Sequence, residues 1–160
     1  MDLGPARVVW TLSGNFNETK ITKLKLPDAL YAEDSRSILE KASPKYKISA
    51  GGFFTIGKFS ANLRETAFGK TSQVVLYNGT TPTLKVGAAA ITDLELAYEL
   101  NKSIKFTIGA NNLLNKKADT VPLGSDGYPI NGDAVLNAPI TFTPYGINGG
   151  YYYARINLNF

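Results

Sequence analysis

The chain has 160 residues, 44% of them hydrophobic, with a formal charge of +4 and a sequence pI of about 9.2. It contains neither cysteine nor histidine, which removes disulfide frameworks, thiolate metal sites, the Ser-His-Asp constellation and the commonest zinc ligand together. Its basic residues are scattered, with no run longer than two, the pattern of a solvated surface rather than of a nucleic-acid interface.

Period-2 alternation dominates the chain. The first segment, Arg7–Thr19, sets Val8, Trp10 and Leu12 against Val9, Thr11 and Ser13. Lys45–Thr55 sets Tyr46, Ile48, Ala50 and Phe54 against Lys45, Lys47 and Ser49. After Ile56-Gly57-Lys58, a turn of hairpin length, a third strand is expected from Phe59 to about Thr71. It carries Ala61 and Leu63 opposite Ser60, Asn62 and Arg64. Asp93–Leu100 alternates Leu94, Leu96, Tyr98 and Leu100 with Asp93, Glu95, Ala97 and Glu99. A tight turn near Asn101-Lys102 leads to Ile104, Phe106, Ile108 and Ala110 against Lys105, Thr107, Gly109 and Asn111. The sixth strand closes the chain, with Tyr152, Ala154, Ile156, Leu158 and Phe160 on one face and Tyr151, Tyr153, Arg155, Asn157 and Asn159 on the other. Because the alternation runs to the last residue, Phe160 is expected to belong to the sheet.

Connections near 56–58 and 101–102 are short; those at about 20–44, 72–87 and 113–149 are long, and they alternate strictly. The long ones hold the turn pairs Asn78-Gly79, Asp126-Gly127 and Asn131-Gly132. A compact soluble domain rarely needs structureless connections of that length. Tight turns at one end of a sheet and large loops at the other are the pattern of an outer-membrane β-barrel, whose strands of about 9–11 residues span the bilayer. The apolar side of each strand would then meet hydrocarbon and the Lys, Glu, Asn and Arg side a wet lumen. The competing arrangement is a soluble sandwich whose apolar faces pack on each other. No stretch approaches the roughly 20 apolar residues of a spanning helix. MDLGPARVVW also lacks the basic flank and apolar core of a signal peptide, so the chain is expected to be either soluble or incomplete.

Three stretches carry a resemblance. IKFTIGANNLLNKK (Ile104–Lys117) resembles the penultimate-strand motif of TonB-dependent outer-membrane receptors, where a strand ends in Gly-x-Asn-Asn-Leu. TPYGINGGYYYARINLNF (Thr143–Phe160) resembles their C-terminus, with Tyr-Gly-x-Asn-Gly opening the last strand and Phe closing the chain. SPKYKISAGGFFTIGKFSANLRETAFGK (Ser43–Lys70) is similar to the upstream Pro-Lys-x-Lys hairpin. Order and spacing fit from about Arg7 to Phe160.

The resemblance implies an all-β fold: an antiparallel up-and-down meander of about six strands, part of a 22-stranded transmembrane barrel, with long extracellular loops and short periplasmic turns. Residues 1–160 would be the C-terminal portion of that barrel, lacking the plug, its TonB box and the earlier strands. It implies a non-enzymatic receptor in the outer membrane of a Gram-negative bacterium, taking up a ferric siderophore, cobalamin or an oligosaccharide with energy from TonB. Its partners would be outer-membrane lipid, the barrel-assembly machinery, the TonB complex through the absent plug, and the nutrient. Phe160, with Leu158, Ile156 and Tyr152, would form the C-terminal assembly signal. Arg155, Asn157, Glu95, Glu99 and Lys105 would face the lumen. The alternative is a soluble all-β ligand-binding module or another outer-membrane barrel protein.

No cofactor or metal is expected. Asp119, Asp126 and Asp133 recur every seven residues, which does not match an EF-hand loop, and they read as turn aspartates. Glu95 and Glu99 share a strand face about 13 Å apart, too far for a two-carboxylate glycosidase working from this strand alone. Tyr152 reads as interfacial aromatic girdle and Tyr151 and Tyr153 as wall residues near the rim, with stacking on a ligand as the alternative. Alone, such a piece is expected to self-associate.

Overall fold

The computed structural model describes residues 5–23, 33–132 and 134–160. In chain order the elements are β1 (Arg7–Phe16), α1 (Glu33–Lys41), β2 (Tyr46–Ile56), β3 (Phe59–Phe68), β4 (Thr71–Val74), β5 (Thr83–Val86), β6 (Ala89–Asn101), β7 (Ile104–Asn111) and β8 (Tyr151–Leu158). Six of the strands form one antiparallel sheet in the order β1-β2-β3-β6-β7-β8, and β4 pairs with β5 alone. Each neighbour in the large sheet is the next of the six along the chain. The sheet is therefore the up-and-down meander expected from the alternation of short and long connections.

Register aligns the apolar positions of all six strands on one face. Val8 pairs with Phe54, Phe54 with Ala61, Ala61 with Leu96, Leu96 with Ile108, and Ile108 with Ala154. Edge-on contact between Trp10 and Phe54 (centroids 5.5 Å apart) and tilted contact between Phe59 and Tyr98 (4.7 Å) lock neighbouring strands on this face. A one-residue slip in any strand would carry its apolar set to the other side. A groove of about 580 Å³ lies on this face, walled by Val8, Phe54, Phe59, Leu96 and Phe106 and floored by Ala61.

Among the described residues nothing covers that face. Trp10 is 73% exposed, Leu12 79% and Ile156 61%. The buried apolar cluster lies elsewhere, among the long connections. Leu84 and Val86 of β5 close on Val121 and Ile140 of the connection between β7 and β8, with Val75, Ile130, Phe142 and Tyr145 around them. The sheet keeps its greasy side open, and the core belongs to the loops.

Several expectations are corrected at the element ends. The first strand stops at Phe16 and the third at Phe68 rather than near Thr71, where a separate hairpin begins. The fourth starts earlier, at Ala89, because β3 offers partners as far as Phe68. The sheet also ends before the last residue. β8 stops at Leu158, which pairs with Ile104 at the start of β7. Beyond it the Asn159 amide donates to the Ser103 carbonyl (2.9 Å), while Phe160 has no strand opposite and is fully exposed.

The long connections are structured where they are described. α1 has Glu33 and Asp34 in its first turn and Lys41 in its last, matching the helix dipole. Its buried Ser37 hydroxyl donates to the Asp34 carbonyl (2.7 Å) and accepts the Val74 amide (2.8 Å), which ties the helix to β4. Asn78-Gly79 is the hairpin turn between β4 and β5, both residues at positive φ (47° and 73°), as a two-residue hairpin turn requires. Gly127 and Gly132 also sit at positive φ, so the other two turn pairs are turns as well.

Candidate functional site

The face opposite the apolar one carries the ordered polar side chains. Pairing brings Arg64 of β3 opposite Asp93 of β6, and both Nε and Nη2 of Arg64 donate to Asp93 Oδ2 (3.0 and 2.7 Å). Asp93 Oδ1 accepts the Asn112 amide (2.8 Å), so this carboxylate also fixes the end of β7. Two residues along β6, Glu95 Oε2 accepts from the Tyr153 hydroxyl (2.7 Å) and from Arg155 Nη2 (3.1 Å). A polar cleft of about 140 Å³ lies among Arg64, Glu95, Asn111 and Tyr153.

One strand, β7, separates Glu95 from β8, so its reach to Tyr153 needs an open lane over β7. Gly109 supplies it: it sits opposite both Glu95 and Tyr153, and a Cβ there would lie 2.4 Å from Tyr153 Cζ. The Tyr151 and Tyr153 rings stack at 5.9 Å on the same side.

Of the five residues expected on the lumen side, Glu95 and Arg155 meet as an ion pair. Glu99 and Asn157 both pair with Lys105 in the ladder, and all five lie on this face. Val9, Phe53, Phe68 and Ile91 share it, so it is less uniformly polar than the strand pattern suggests. Phe68 is buried, with Lys47 Nζ 5.4 Å from its ring centroid and Tyr145 6.2 Å away. On the apolar face, Tyr152, Ile156 and Leu158 pair with Ala110, Phe106 and Ile104. The Tyr152 hydroxyl donates to the Leu113 carbonyl (3.1 Å).

The Asn-Asn-Leu stretch forms the corner that carries the chain out of the sheet. Asn112 is buried at positive φ (53°), its side chain donating to the Lys116 carbonyl (2.7 Å) and accepting the Lys116 amide (2.8 Å). Asn115, also at positive φ, accepts the Gly150 amide on Oδ1 (2.9 Å) and so anchors the entry to β8. Gly149 completes the joint, since a Cβ there would stand 2.4 Å from Asn115 Oδ1 and its φ is +74°.

Beyond the corner, Tyr77 and Asn78 on one connection meet Asp126 on another. The Tyr77 hydroxyl donates to Asp126 Oδ1 and the Asn78 amide to Oδ2 (2.9 Å). The Asp126 carboxylate pushes the Tyr77 phenol up to about 12, and the same bond holds Asp126 below the usual carboxylate range. The folded phenol keeps its proton more tightly than an unfolded one. Its contribution to holding the loops is therefore complete below about pH 10 and is lost as pH rises through about 12. Asp126 works in the opposite sense: its contribution is present above the ordinary carboxylate range and lost as pH falls through its lowered value. Tyr77→Phe is expected to delete a late tyrosinate transition near pH 12 in an absorbance titration. An unchanged titration would mean that this contact does not form.

Asp126 is thus a hydrogen-bonding turn residue. Asp119 lies 3.6 Å from Lys116, and Asp133 lies outside the described residues. Among the described residues no three acidic side chains converge. The Asn101 side chain accepts the Ser103 and Ile104 amides (both 2.9 Å) and shapes the tight turn between β6 and β7. The sequence pattern gave no sign of the Arg64–Asp93 pair or of the contact between Tyr77 and Asp126, because each joins positions distant along the chain.

No family model and no curated protein matches the chain. Its fold is similar to a solved structure of a mutant ferric enterobactin receptor from Pseudomonas aeruginosa, with a TM-score of 0.53 at 22% identity. The similarity covers 76% of this chain and 17% of that one. At that identity the likeness is one of fold alone, to a small portion of that receptor. Among the described residues no helix is long and apolar enough to cross a membrane, which leaves crossing by strands untouched.

Proposed function

We propose that the chain forms part of the wall of an outer-membrane receptor that takes up a scarce nutrient, a ferric siderophore, cobalamin or an oligosaccharide, with energy delivered through TonB. The observation that carries this reading is the one-sided sheet: a continuous, uncovered apolar face on six strands, with tight turns at one end and packed loops at the other. Hydrocarbon satisfies such a face without a second layer of protein. The fold likeness to a ferric enterobactin receptor supports the same reading.

In this arrangement residues 1–160 are the C-terminal portion of the barrel. Glu95, Glu99, Lys105, Arg155 and Asn157 line the lumen, and outer-membrane lipid surrounds Trp10, Leu96, Ile108 and Ile156. The wall performs no bond-breaking chemistry. It holds a fixed polar surface past which a ligand moves, and the loops above meet the ligand first. The plug of the intact receptor couples the wall to TonB.

The test is uptake of radiolabelled ferric siderophore and cobalamin by cells carrying or lacking the full-length gene, with outer-membrane fractionation alongside. Gene-dependent uptake and outer-membrane residence are expected. Recovery of the protein in the soluble fraction would overturn the reading in favour of a soluble binding module.

Phe160 offers a separate check. Its ring extends past the last ladder pair and is fully exposed, which suits capture by strand addition at the β8 edge during barrel assembly. Deleting Phe160 from the full-length protein is expected to lower its outer-membrane level severalfold and to leave ligand affinity of the assembled fraction unchanged. A normal level and rate of assembly would remove the residue from that role.

A further inference from the structure

We infer that the cleft at the loop end of β1, β2 and β3 is a binding site for a ligand carrying two or more phosphate groups. This cleft, about 830 Å³, opens where the chain leaves β1 and β3, enters β2 and runs along β5. Its charged lining consists of five lysines and two glutamates. Both glutamates are already engaged: Glu18 is bonded to Lys45, and Glu40 Oε1 accepts the Ile21 amide (2.9 Å). Lys41, Lys70 and Lys85 have no carboxylate partner among the described residues.

A second feature points to the same place. Thr71 lines the cleft and is 3% exposed, and its buried hydroxyl has no hydrogen-bond partner. A buried hydroxyl left unpaired costs free energy that a bound acceptor would recover. The lining contains lysine and no arginine. Lysine ammonium groups bind phosphate as compact point charges. The volume exceeds what one phosphate fills. Tyr46, whose side chain lies on the apolar side of the sheet, also lines the cleft. A phosphorylated lipid headgroup and a free polyphosphate share the required chemistry.

The full-length protein in phosphatidylcholine nanodiscs, titrated with lipid A, with the same glycolipid freed of phosphate, and with inositol hexakisphosphate, separates these sources. Phosphate-dependent binding is expected. The combined K41Q, K70Q and K85Q substitutions should weaken it on the order of a hundredfold, and arginine at the same three positions should restore it to within a few fold. Thr71→Val should weaken it severalfold, and Lys102→Gln, at the opposite end of the sheet, should leave it unchanged. Binding of lipid A alone assigns the site to a headgroup, and binding of the soluble polyphosphate alone assigns it to a free ligand. Binding of neither, or a glutamine triple variant that binds as tightly as the wild type, overturns the site.

Discussion

Arginine at Leu96 or Ile108 is expected to destabilise the membrane-embedded protein by about 2–4 kcal/mol, the cost of a charged side chain on the lipid side near the middle of a barrel wall. The two residues pair with each other across β6 and β7, on the face shared with Phe54 and Ile156, and Ile108 is 59% exposed. Arginine at Asn62, opposite Glu95 on the polar face, is a surface change beside a carboxylate and should stay within about 0.5 kcal/mol. Equilibrium urea unfolding of the full-length protein in lipid vesicles measures all three. Equal effects at Leu96 and Asn62 would mean that hydrocarbon does not meet the apolar face.

The second large effect concerns residues 1–160 in water. Trp10, Leu12, Phe16, Ile108, Ile156 and Leu158 are each more than half exposed on one face, together far beyond the few hundred Å² that soluble monomers carry in one patch. β1 and β8 are unpaired on their outer sides among the described residues, and unpaired edges recruit further strands. Without detergent the chain is expected to self-associate, most simply as a dimer, either stacking apolar faces or joining edges. Sedimentation equilibrium at tens of micromolar decides it. A stable species of 17.3 kDa would show that the face is covered within one chain, and the soluble-module reading would take precedence.

The sheet was legible because period 2 is strong in all six strands, and because short and long connections alternate with no exception. Register followed as well: with Leu96 and Ile108 committed to one face, Glu95 and Lys105 must take the other. What stayed hidden was everything made by contacts between connections. Nothing local in Thr83–Val86 distinguishes a loop strand from a linker. It becomes one by burying Leu84 and Val86 against residues near 121 and 140, which lie far along the chain. The strand ends were misjudged for a related reason. Alternation in the sequence continues through Lys70-Thr71 and to Phe160, but a ladder lasts only as long as its partner does.

Within the polar site the side of Glu95 was readable and its company was not. Arg155 and Tyr153 lie some 60 positions away along the chain, and their meeting depends on the lane over Gly109. A glycine in a strand marks a close approach without naming what approaches. The Asn-Asn-Leu motif was recognisable as a pattern, while its mechanical role as a left-handed corner clamped by Lys116 required the dihedral angles.

Because Leu84 and Val86 on one connection close on Val121 and Ile140 on another, neither connection can open by itself. The amides of Val121 and Ile140, each held by a backbone bond to the opposite stretch of their own loop, should exchange with solvent in one concerted event. The hairpin tip at Asn78, whose side-chain amide donates to Asp126 on the other connection, is expected to open with them rather than alone. The loop end of the sheet is therefore expected to open as one unit, its base and the Asn78 tip together. A disturbance at one loop base is expected to reach the other through this shared cluster, without passing through the sheet.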